Sequence, residues 1–164
     1  MRISAKVVEV PAKLEVEAVG IILDLPVSSF ADIEHPETAF HAFLKRSMVY
    51  CEYGNPELGE IKFGRLVEIA DRMKCIDPER ICGVLTDGKV EVVPGERVRV
   101  TAKFTPSGPY KDAAINLIKA SEQLCLSARF LLNEQSKITQ VPTWDVVTEV
   151  PEQPFNFGLI LKNQ

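Results

Sequence analysis

A strand-rich α+β fold, built as a small barrel with about three helices packed outside it, is what the residue pattern predicts. Three observations carry the expectation. Apolar and polar residues alternate in short runs along most of the chain, helical spacing interrupts them, and turns rich in Gly, Pro and Asp separate the runs. Residues 3–10 and 13–25 read as strands. In the second, Leu14, Val16 and Ala18 alternate with Lys13, Glu15 and Glu17 before the pattern turns continuously apolar through Leu23. Pro26 to Glu34 reads as a loop. Pro36 suits the first turn of a helix that would carry Ala39, Phe40, Phe43 and Leu44 on one face. A short strand from Met48 to Tyr53 runs into the turn Gly54-Asn55-Pro56. Leu66, Ile69, Ala70 and Met73 predict a second helix, broken by Asp77-Pro78. Ile81–Leu85 and Val90–Val93 flank Asp87-Gly88 and predict a hairpin. Glu96 to Phe104 is the cleanest strand: Val98, Val100, Ala102 and Phe104 face one way, Arg97, Arg99, Thr101 and Lys103 the other. Thr105-Pro106-Ser107-Gly108-Pro109 makes a rigid turn. A helix from about Tyr110 to Gln123 follows, with Ala114, Leu117, Ile118 and Ser121 on one face. Strands near 124–132, 143–150 and 156–161 complete the set.

A length of 164 residues suits a single domain over 1–164, and 46% hydrophobic residues supply one core. The net charge of −4, with basic residues scattered among acids, argues against sequence-independent nucleic-acid binding. The cysteines Cys51, Cys75, Cys82 and Cys125 include no C-x-x-C pair, and only two histidines are present, so no metal site is expected. Buried reduced thiols are the expectation for all four. The N-terminus has no apolar signal-peptide core, and no run approaches the roughly 18 apolar residues of a membrane span. A reducing cytoplasm, or a particle assembled there, is the expected setting.

Four segments stand in order along the chain: Tyr53-Gly54-Asn55-Pro56-Glu57 after a helix and a short strand; Ile76-Asp77-Pro78-Glu79-Arg80-Ile81; Thr105-Pro106-Ser107-Gly108-Pro109 with its helix and Leu126-Ser127-Ala128-Arg129; and Trp144-Asp145-Val146-Val147. In order and spacing they resemble the capsid-maturation (prohead) protease family of tailed bacteriophages, whose fold is shared with herpesvirus assemblins. The first is similar to the family's Gly-Glu-x-x-His-Pro turn, the second to I-x-P-x-R-V, the third to T-P-x-G … S-x-R, the fourth to D-V-V. The resemblance spans roughly residues 40–151.

What it implies is a barrel of the assemblin type and serine endoproteolysis of scaffold and capsid proteins. A serine hydroxyl needs a base to accept its proton and a third group to orient that base. Ser127 falls at the family's nucleophile position, and Arg129, two residues on, would share its face and support an oxyanion. Asp145 could orient a histidine. The family's histidine position, however, holds Asn55, which cannot act as a general base near neutral pH. His35 and His41 lie elsewhere, and Cys51 or Cys125 would also need a base. Read without the resemblance, Ser127 is a small strand residue and Asp145 a turn acid. The expectation is a phage head-associated protein that is structural and non-catalytic, with a minor capsid, decoration or scaffold-associated role. Capsid or scaffold proteins would be its partners, with self-association left open, no cofactor, and a place in the host cytoplasm or virion head. The alternatives are an active, divergent prohead serine endopeptidase and a β-barrel binder of single-stranded nucleic acid.

Overall fold

The computed structural model describes residues 1–10, 13–46, 48–56, 71–148 and 155–156. Its strands are β1 (Arg2–Val10), β2 (Lys13–Pro26), β3 (Met48–Tyr53), β4 (Ile81–Val93), β5 (Arg97–Pro106), β6 (Gln123–Leu132), β7 (Ile138–Gln140), β8 (Trp144–Val147) and β9 (Phe155–Asn156). Hydrogen-bonded neighbours run β1-β2-β5-β4-β3-β8-β6, and Arg2–Ser4 of β1 pair with Gln123–Cys125 of β6 to close a seven-stranded barrel. Every junction of the barrel is antiparallel except β3/β8, which is parallel and covers only Glu52↔Asp145 and Tyr53↔Val146. Closure pairs each of the seven strands on both sides over at least part of its length, which limits the usual liability of a sheet edge.

β5 alternates as its sequence requires. Val98, Val100 and Phe104 are fully buried and Ala102 nearly so, while Arg97, Arg99 and Lys103 face solvent, where both arginines reach Asp24 of β2. Against this wall pack Phe30, Phe40, Phe43 and Trp144. The Trp144 ring stacks on Phe40 at 6.4 Å and meets Phe43 at 5.4 Å, and its indole N–H donates to the Ile22 carbonyl at 3.0 Å. Burying each large side chain contributes about 1.5–3 kcal/mol, so this cluster is a principal anchor of the segment that links β2 to β3.

Two helices accompany the barrel, α1 (His41–Lys45) and α2 (Lys111–Ser121), and residues 71–74 are also helical. α2 buries Ala114 and Ile118, as its spacing predicts, and ends where Glu122 adopts a left-handed φ of 56°. It touches β1 and β6 on one side and β4 and β5 on the other, so it stops one mouth of the barrel. No helix among the described residues is long and apolar enough to cross a membrane.

The structure departs from the sequence reading in five places. Asp87-Gly88 is no hairpin turn: β4 runs through it with a bulge between Thr86 and Lys89, and the chain reverses at Pro94–Glu96, where Gly95 has φ 72°. The reason is packing. A Cβ on Gly88 would lie 2.1 Å from the Phe43 ring, so this glycine serves a close approach, and the positive φ of Asp87 serves the bulge. The helix expected from Pro36 is a 3₁₀ stretch, Pro36–Phe40, followed by the five-residue α1, and this break leaves Leu44 exposed while Phe40 and Phe43 are buried. The 26–34 loop contains a 3₁₀ turn, Val27–Ser29, with Val27 and Phe30 in the core. β7 was not foreseen. Cys75 is exposed, whereas Cys51, Cys82 and Cys125 are buried. Most of the helix expected around Leu66–Met73, the end of the strand expected at 143–150, and all but residue 156 of the strand expected at 156–161 lie outside the described residues.

Candidate functional site

The short parallel junction sets the site. Along β6, Leu124, Leu126, Ala128 and Phe130 point into the barrel core, so Cys125, Ser127, Arg129 and Leu131 point outward. Ser127 lies opposite Asp145 of β8, and Asp145 lies opposite Glu52 of β3. Directly opposed residues share a face, so Ser127, Asp145 and Glu52 form one line across three strands, with Arg129 diagonal to it. This outer face is not open to solvent. Residues 71–77 cover it, with Met73, Glu52, Arg129 and Asp145 all at 0% exposure.

Charges on that line are paired with one another. Arg129 grips Asp145 bidentately, Nε to Oδ2 at 2.9 Å and Nη2 to Oδ1 at 2.6 Å, and Nη2 also donates to Glu52 Oε2 at 2.8 Å. Its Nη1 donates to the carbonyls of Arg72, Met73 and Cys75 at 3.3, 3.4 and 3.3 Å, where the 71–74 helical turn ends, and the Cys75 carbonyl also accepts from Arg72 Nη1 at 3.2 Å. Glu52 receives a second fork from Arg72, at 2.7 and 2.5 Å, and the Asp77 N–H at 3.1 Å; Arg80 Nε lies 3.6 Å from it. Burial raises the Glu52 carboxyl, but the hydrogen bonds from Arg72 and Arg129 more than offset it and bring it down to about 2. Burial dominates at Asp145 and leaves it at about 6 despite Arg129. Both are ionised at neutral pH.

The four sequence-predicted residues fare differently. The structure brings Ser127, Arg129 and Asp145 together. It does not supply their chemistry. All five guanidinium N–H groups of Arg129 are engaged with carboxylates or carbonyls, so none is left for an oxyanion. Asp145 orients Arg129 and no imidazole. Among the described residues no side chain hydrogen-bonds to the Ser127 hydroxyl, and Ser127 itself is only 5% exposed. Asn55 follows Gly54 (φ 81°) just beyond β3, half-buried, with its Oδ1 unpartnered. His35 sits on the surface with Nδ1 3.3 Å from Glu37, and His41 is an exposed residue at the start of α1. Cys51, beneath Glu52 in the core, is inert as a nucleophile: burial pushes its thiol well above the ordinary value, and pushes that of Cys82 up to about 12.

The sequence pattern does not disclose Glu52 or Arg72, and Arg80, which it places in a charged segment with Asp77 and Glu79, lies with its Nε 3.6 Å from Glu52. Glu52 occupies an outward strand position, where a carboxylate is ordinary, and only the parallel register discloses its neighbours. No group of three or more metal-ligating side chains forms among the described residues. Set against models of protein families, curated proteins and solved structures, the chain matches none.

Proposed function

We propose that the chain is a bacteriophage head-associated protein with a prohead-protease-like barrel that works by binding capsid or scaffold proteins and not by cleaving them. The four ordered segments of the sequence and a closed β-barrel with few helices are in keeping with that descent. One observation carries the non-catalytic part: the hydroxyl at the nucleophile position lies beside a covered ion network whose members are paired with one another, and no side chain among the described residues hydrogen-bonds to it. A buried network of this kind serves to hold segments in register. Here it fastens residues 71–80 to the parallel junction of the barrel.

The test is co-expression with the capsid and scaffold proteins of the same phage, comparing wild type with Ser127→Ala. The expected result is association of both forms with head assemblies and an identical pattern of capsid and scaffold bands. Cleavage that disappears with Ser127→Ala would establish a serine endopeptidase instead. Salt-sensitive capture of single-stranded oligonucleotides in place of head proteins would favour nucleic-acid binding.

A further inference from the structure

The parallel junction between β3 and β8 ends abruptly, and a cleft opens where it stops. Upstream of Glu52 the two chains part. Residues 139–142 turn away to pair with β6 and with the 3₁₀ stretch before α1, through Leu131↔Gln140 and the Val141 N–H on the Ala39 carbonyl. A cleft of about 460 Å³ lies between them and Met48–Tyr50. Its head is marked by the Thr143 hydroxyl, which donates to the Tyr50 carbonyl at 2.6 Å. That bond fixes the direction of the Tyr50 backbone: its carbonyl, and with it its N–H, faces the cleft. Among the described residues, Met48–Tyr50 have no ladder partner on this side. On this side the Tyr50 carbonyl is taken by Thr143 and the Met48 N–H by the Arg46 carbonyl, while the Tyr50 N–H and the Met48 carbonyl have no described partner and remain open to an added strand.

The lining has one charge sign. Arg46, at the end of α1, and Lys74, in the 71–74 turn, bring their charges to the cleft from two parts of the chain; His41 of α1 also lines it, and no acidic residue of the described set does. No described carboxylate pairs with Arg46 or Lys74. In a chain of net charge −4 this local excess of cations stands out beside Arg97 and Arg99, which both pair with Asp24. Beside the cations stand Met48 and Tyr50, 44% and 41% exposed, apolar bodies on the outward positions of the open strand.

We propose that this cleft docks an extended peptide segment bearing carboxylates, which adds a strand along Met48–Tyr50 while Arg46 and Lys74 pair with its acidic side chains. Main-chain bonds to the open edge supply alignment, the cations supply selectivity, and Met48 and Tyr50 cover the apolar side chains between the acids. A nucleic-acid strand fits less well, because the cationic groups are few and the rest of the protein is acidic. The site serves any partner with such a segment, so it stands whether or not that partner belongs to a phage head.

Fluorescence anisotropy on the full chain tests it, with a short fluorescein-labelled peptide in which glutamate and valine alternate. A lysine–valine peptide and an oligothymidylate of equal length are the comparisons. The glutamate peptide should bind saturably and the lysine peptide should not. Arg46→Glu/Lys74→Glu should weaken binding by about tenfold or more, with its melting curve unchanged because both side chains lie on the surface. The charge-neutral Arg46→Gln/Lys74→Gln pair should fall between the two and serves in its place if the reversal impairs folding. Absence of saturable binding, or equal binding by both substituted forms and wild type, overturns the proposal. Tighter binding of the oligothymidylate would assign the cleft to nucleic acid. A wild-type dimer in sedimentation that these substitutions dissociate would assign it to a second copy. Either outcome removes the peptide.

Discussion

Replacing Arg129 with Met tests what the buried network contributes. Asp145 is fully buried, and among the described residues its side-chain oxygens are held by Arg129, at 2.9 and 2.6 Å. Met fills the space of the side-chain stem but leaves that carboxylate without its guanidinium and takes a donor from the carbonyls of Arg72 and Met73, while the Cys75 carbonyl keeps Arg72 Nη1. Glu52 is less affected, because Arg72 and the Asp77 N–H remain. Breaking a buried pair by removing one member costs about 3–5 kcal/mol. For a chain of this size each kcal/mol moves Tm by about 2–4 °C. The expected fall is therefore about 6–20 °C at pH 7, read from Trp144 fluorescence and far-ultraviolet circular dichroism together. Arg129→Met/Asp145→Leu, which removes both charges, should recover a large part of that loss, because a buried pair is seldom much better than its apolar replacement. Arg129→Met should also lose less at pH 5, where the orphaned Asp145 can take up a proton. A fall of less than about 2 °C, or a double variant less stable than the single, would show that the network carries no such weight.

Three further outcomes follow from other parts of the molecule. The two carboxylates predict opposite pH limbs: Asp145, raised to about 6 from 3.8, makes stability grow as pH falls from 7 toward 4, and Glu52, lowered to about 2 from 4.5, makes it shrink as pH falls below 4.5. Tm should therefore pass through a maximum on the acid side of neutrality, and Glu52→Gln should flatten the acid limb; a monotonic profile would contradict the assignment. Gly88→Ala should cost about 1–3 kcal/mol, because the new methyl meets the Phe43 ring, and Phe43→Leu should restore part of it; urea midpoints of the single and double variants decide. Among the cysteines, Cys75 should react readily with a thiol reagent in the native protein, while Cys51 and Cys82 should react only on unfolding, which mass-resolved labelling would report.

Periodicity made the walls of the barrel legible and left its closure hidden. β5 could be read residue by residue, because half its positions are core and half are arginine, lysine or threonine. α2 could be read from Ala114 and Ile118. Asp87-Gly88 misled for a physical reason: the dipeptide supplies a positive φ and a missing Cβ, and both a hairpin and a bulge use those properties. The site was legible in part. Ser127, Arg129 and Asp145 were picked out, and they do lie together, yet Glu52 could not be joined to them, because a pairing of two residues in parallel register leaves no periodic trace. Arg72 was invisible for the same reason, since its role depends on where the 71–74 turn rests on the barrel.

That hidden pairing bears directly on catalysis. A hydrolytic serine needs a base able to take its proton, a donor free to meet developing charge, and access for the substrate. The strand register that aligns Ser127 with Asp145 and Glu52 also draws Arg129 into the line, and the arginine then satisfies two acids and three carbonyls at once. A base brought to the Ser127 hydroxyl would meet only the first need. The guanidinium would stay committed, and residues 71–77 would still cover the face, since those same contacts hold that segment in place. Fold stability and oxyanion chemistry thus compete for one side chain, and in this chain the barrel junction holds it.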